Sequence, residues 1–138
     1  MAVDVDSRWR DIGLLWLRVG LGAMYVVHGW PKLEGGGETW AQLGQAMRHI
    51  GVRVYPELWG FAAAMAEFGG GILLALGVMF RPAAGALAAT MIVAATMHLR
   101  SGDGLAGAAH AIEAGIVFVA LICLGPGRFV VGRRRRSP

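Results

Sequence analysis

The sequence predicts an all-α integral membrane protein: a four-helix bundle with both termini cytoplasmic and a short amphipathic helix in the first outer loop. Three observations lead there. Four hydrophobic stretches, residues 12–30, 57–80, 83–99 and 107–124, approach the ~20 residues a helix needs to cross a bilayer. Mean hydropathy is +0.54 and 56% of residues are hydrophobic, above the globular norm. None of the stretches carries the charged stripe that a soluble amphipathic bundle would require. The 138 residues allow one domain, read as an N-terminal cytoplasmic tail (1–11), a transmembrane unit (12–128) and a basic cytoplasmic tail (129–138).

The first stretch follows Arg8 and Arg10 but lacks a small-x-small cleavage site at its end, so it reads as a retained helix. Pro31 and Gly35-Gly36-Gly37 are expected to end it. Beyond them Trp40, Leu43, Met47 and Ile50 recur at helical spacing, which suits a short amphipathic helix at the interface or an ordinary loop helix packed on the bundle. Pro56 opens the second span and Arg81-Pro82 is expected to break it from the third. Ser101-Gly102-Asp103-Gly104 separates the third from the fourth, and Gly125-Pro126-Gly127 closes the fourth. Gly makes up 22 residues, and small residues at Ala62, Ala66 and Gly70, and at Gly107, Ala111 and Gly115, offer ridges for close helix packing.

Orientation follows from the cations. The N-terminal tail, second loop and C-terminal tail hold eight of them: Arg8, Arg10, Arg81, Arg128 and the run 133–136. The first and third loops hold four, Lys32, Arg48, Arg53 and Arg100, so the termini are expected inside. The 133–136 run reads as a stop-transfer anchor facing lipid headgroups rather than a nucleic-acid contact. Cys123 is the single cysteine, which excludes an intrachain disulfide or a CxxC redox centre.

Ionisable residues inside the spans are the candidates for chemistry, because a charge at a helix centre costs roughly 2.5–3.5 kcal/mol and is normally paired. They are Arg18, His28, Glu67, His98, His110 and Glu113. Counting helical rise places Arg18 about 9 Å from the inner side, Glu67 about 15 Å and Glu113 about 9 Å from the outer side. The three histidines fall at the outer rim, and His110 and Glu113 share one face at a spacing of three. The expectation is a polar cavity open to the outside, with an Arg18 floor in reach of one or both carboxylates and imidazoles at the mouth. Two acids against one Arg require a protonated Glu or a charged His, and either group exchanges protons near neutral pH. A network that only fixes helix positions accounts for the same residues.

Several motifs carry a resemblance. The first span reads Leu17-Arg18-Val19-Gly20-Leu21-Gly22 and runs on to His28-Gly29-Trp30-Pro31-Lys32-Leu33. The second reads Glu67-Phe68-Gly69-Gly70-Gly71-Ile72-Leu73-Leu74, with Gly77 and Arg81-Pro82 beyond it. The last holds Glu113 and ends Leu124-Gly125-Pro126-Gly127-Arg128-Phe129. From about Leu14 to Phe129 the chain resembles the DoxX family of small bacterial and archaeal four-helix membrane proteins. Position by position, the family's polar signature falls on Arg18, His28, Lys32, Glu67, His98 and Glu113. The resemblance implies a multi-pass protein of the cytoplasmic membrane, linked by analogy to a quinone or oxidoreductase system with partner subunits.

Three functions compete at this point. One is a membrane subunit whose outer pocket takes a quinone headgroup, with Arg18 anchoring an oxygen and Glu67, Glu113 and the histidines relaying protons. The second is a small proton-coupled transporter, and the third a structural or assembly protein. Beyond the bilayer, the expected partners are redox-enzyme subunits or further copies of the chain, and no nucleic acid. The cofactor stays open: a quinone is compatible, whereas haem or metal is disfavoured; against a di-iron centre in particular, His110-x-x-Glu113 reverses the Glu-x-x-His order of such bundles.

Overall fold

The computed structural model describes residues 5–132 and is helical with no strand among them. The elements run α1 (Val5–Glu34), α2 (Gly36–Gly44), a 3₁₀ segment (Gln45–Ile50), α3 (Pro56–Leu76), α4 (Phe80–Arg100) and α5 (Gly104–Leu124). Four of these, α1, α3, α4 and α5, are long and apolar enough to cross a membrane. The run 133–136 lies outside the described residues.

The surface of the bundle is that of a lipid-facing protein. Trp16, Val27, Ile92 and Ile116 stand between 61% and 76% exposed on four-helix flanks where water would penalise them. Exposed Trp9 and Trp30 lie about 32 Å apart along α1, close to the ~30 Å hydrocarbon thickness, as an interfacial aromatic pair would.

Three boundaries differ from the sequence reading. Pro31 does not end α1, which runs on to Glu34, because a proline in the final turn removes only one ladder bond and the turn closes through Gly35 N–H on the Pro31 carbonyl, 3.0 Å. Arg81-Pro82 does not separate the second and third spans. The break comes earlier, where Gly77 at φ +73° lets its own N–H reach the Leu74 carbonyl and Val78 N–H the Leu73 carbonyl, both at 3.1 Å. Arg81 and Pro82 then occupy the first turn of α4, where proline is tolerated. The expected tail before residue 12 is also helical from Val5 onward.

α1 lies antiparallel on α3, and glycines set the distance. A Cβ at Gly22 would meet the Gly71 carbonyl and Ala75, and one at Gly29 would meet the Phe68 backbone. This seam was not among the ridges the sequence suggested. Of those, Gly70 does face α4 at Leu87 and Gly115 faces Met91, while Ala62 and Gly107 are exposed. The core between the spans is Leu74, Leu87, Met91, Phe118 and Leu121, with Tyr25 from α1. Large side chains, Tyr25 against Phe118 and His28 against His110, bridge α1 and α5.

The predicted loop helix forms as α2 and rests on the start of α3. Backbone meets backbone there, Gly44 on Pro56 and Gly60 on Trp40, positions that have no room for a side chain. After α5 the chain turns back across the end of the bundle where α1 begins, and there Val131 N–H donates to the Leu76 carbonyl at 3.1 Å.

Candidate functional site

The α1/α3 register decides which charges meet. Every Cα–Cβ bond of a helix leans toward its N-terminus, so long side chains on α1 sweep toward the end bearing the termini. Lys32, in the last turn of α1, is thereby carried back onto Glu67, with Nζ 2.6 Å from Oε2. The Glu67 side chain is 5% exposed and the Lys32 side chain 31%, so the amine is reachable and the carboxylate stands behind it.

Arg18 sweeps the same way, which takes it away from Glu67. Its Nη1 donates to the Ala75 carbonyl at 2.8 Å, and Nε is buried without a hydrogen-bond partner. Ala75 lies about 12 Å along α3 from Glu67. The expectation that Arg18 reaches a carboxylate is therefore corrected: among the described residues it forms no ion pair. Glycine at 77 leaves the space its guanidinium fills, beside Val130 of the returning C-terminal segment.

Glu113 is corrected as well. The buried stripe of α5 is Ala108, Ala111, Ala114, Phe118 and Leu121, and Glu113 stands on the opposite, exposed face with no ion pair or hydrogen bond among the described residues. The graded cavity of an Arg18 floor below two carboxylates does not form.

The histidines gather only in part. His28 and His110 face each other across the α1/α5 gap with ring centroids 6.1 Å apart and planes 19° from parallel. His28 Nδ1 lies 3.0 Å from the Met24 carbonyl; since a carbonyl only accepts, Nδ1 is the donor. His98 is elsewhere engaged, 2.7 Å from Asp103 Oδ2 in the turn between α4 and α5. Behind the His28–His110 pair stands Tyr25, its ring edge-on to Phe118 at 5.0 Å and its hydroxyl donating to Met91 Sδ at 3.1 Å. Among the described residues no group of three His, Cys, Asp or Glu side chains is placed to hold a metal ion.

An open pocket of about 500 Å³, within the size range of small-molecule sites, lies between α2 and the start of α3, and neither Lys32 nor Glu67 lines it. Trp40, Tyr55, Glu57 and Phe61 line it, with Trp40 edge-on to Phe61 at 4.9 Å. Trp40 Nε1 donates to the Lys32 backbone carbonyl at 2.9 Å, so one hydrogen bond joins the pocket wall to the residue that holds Glu67.

Two participants escaped the residue-by-residue reading. Tyr25 carried a signal, as the one tyrosine inside a predicted span. Asp11 sat just outside the first span, yet the structure buries it, with neither carboxylate oxygen hydrogen-bonded and Arg128 Nε 3.8 Å from Oδ2.

A sequence-family model described as DoxX matches residues 13–100, which takes in α1 from its third turn onward through α4 and stops short of α5. Arg18, His28, Lys32, Glu67 and His98 fall within that match, and Glu113 falls beyond it. Comparison with curated proteins and with solved structures finds no match.

Proposed function

The chain belongs to the DoxX family, and from that premise we propose that it is the membrane subunit of an oxidoreductase system, binding the headgroup of a quinone or a similar polar redox molecule. The observation that carries this reading is the half-accessible Lys32 in front of the buried Glu67 carboxylate, tied through its backbone to the aromatic wall of the pocket. Quinone reduction takes up two electrons and two protons. The electrons would come from a partner redox protein, and this chain would handle the protons.

Lys32 has three N–H donors and spends one on Glu67, so the others are free to polarise a carbonyl oxygen. Glu67 is the matching proton store, shielded from bulk water and exchanging only through the amine it holds. Trp40 and Phe61 offer flat faces for the ring of a headgroup. Under this reading the pocket opens to the outside of a bacterial or archaeal cytoplasmic membrane, on the side away from the chain termini.

The test is quinone turnover in membrane vesicles from cells lacking the native copy and complemented with variants. Glu67→Gln and Lys32→Gln should each abolish quinone-linked electron flow while the protein still inserts. Full activity of both variants overturns the proposal.

A second reading, a purely structural lock, is favoured by the closeness of the pair, whose 2.6 Å contact is complete without any ligand. It requires both variants to lose stability and retain electron flow.

A further inference from the structure

We propose that the outward face of α5 is a self-association surface on which Glu113 of one copy pairs with His110 of a second. The inference rests on neither the quinone reading nor the Lys32–Glu67 site.

Glu113 lies about 14 Å from the first residue of α5 and about 17 Å from the last, so its short side chain reaches neither headgroup layer. It is exposed, on the face opposite the buried stripe, and has no partner among the described residues. A carboxylate in that position is among the costliest groups to leave against hydrocarbon, and such groups face a protein partner or an aqueous cavity.

The chemistry of the face selects the partner. His110 is exposed one turn away, about 4.5 Å in rise and about 60° around the helix. Copies of a membrane protein insert in one orientation, so two of them relate by a two-fold axis along the membrane normal and present the same patch to each other at the same depth. A patch holding one acid and one base at this spacing complements itself: the two-fold makes two identical His110–Glu113 pairs. Ala106 and Ala120 share the Glu113 side of α5 and are exposed, which permits the close approach such pairs need. The second copy would also supply the acid that the His28–His110 ring pair lacks among the described residues of one chain.

The experiment is disulfide trapping of the full chain in native membranes, in a Cys123→Ser background. Ala120→Cys should give a covalent dimer on mild oxidation, whereas Ile92→Cys on the exposed flank of α4 should not. Within the Ala120→Cys chain, His110→Glu and Glu113→His should each cut trapping roughly tenfold, the order expected for losing a charge-assisted pair. Both changes together should restore it, because Glu at 110 and His at 113 again meet across the two-fold. Equal trapping at positions 120 and 92 overturns the proposal, as does trapping unaffected by the single changes. Loss in the single variants without recovery in the double assigns Glu113 to a different polypeptide and equally overturns it. The two cysteine probes leave every charged residue in place, so this readout survives any folding defect of the charge variants.

Discussion

Lys32 of α1 closes on Glu67 of α3 at 2.6 Å, joining the last turn of one span to the interior of the next. The contact places an amine that solvent reaches directly before a carboxylate that it does not. Removing either member exposes what the other needs.

Lys32→Met should destabilise the protein by roughly 3–5 kcal/mol, because it strands a buried carboxylate. Glu67→Gln should cost less, since the partly exposed lysine head can turn away to solvent. Replacing both with Met and Leu should recover much of the loss, by analogy with buried pairs exchanged for apolar side chains. Thermal unfolding in detergent reads all three. An equal loss in the single and double variants would show that packing, not charge, holds this point.

Arg18 has no carboxylate partner to strand among the described residues. Arg18→Met should therefore cost no more than about 1.5–3 kcal/mol, the worth of a charged hydrogen bond to a carbonyl. A loss as large as that of Lys32→Met would reveal an acid held by Arg18 beyond the described contacts.

The glycine seam should respond by position rather than by residue type. Gly22→Leu and Gly71→Leu force α1 from α3 and should prevent accumulation of folded protein. Gly20→Ala meets nothing within 4 Å and should be neutral or stabilise by about 0.5–1 kcal/mol, as alanine favours helix. Expression level and melting temperature decide it.

Topology is testable with reporters. Four spans would put both termini on one side of the membrane, and the cation excess predicts that side to be the cytoplasm. A fusion after Arg133 should report inside, and one within 35–37 should report outside. Identical signals from both positions would mean that a span is missing.

Much of this architecture was legible from the chain alone. Hydropathy and length identify four spans, because the bilayer sets a required length and excludes uncovered charge. The ordered motifs from Leu17 to Phe129 point to the family, and through it to Lys32, which depth counting had left among the loop cations. The periodicity of Trp40, Leu43 and Met47 finds the loop helix, since α2 and the 3₁₀ segment occupy that stretch.

What a linear count cannot supply is rotation and register. Counting rise from the membrane edge places Arg18 and Glu67 about 6 Å apart in depth, within an arginine's reach, yet Gly22 against Gly71 and Gly29 against Phe68 slide α3 along α1 until Arg18 meets Ala75 and Lys32 meets Glu67. The rotation of α5 likewise turns Ala111 and Phe118 inward and Glu113 out, although a mid-span acid reads as interior in sequence. Hydrophobic length belongs to each helix separately, so the sequence by itself determined the spans. The pairing of charges depends on where two helices touch, and only the close packing of the glycine seam decided that.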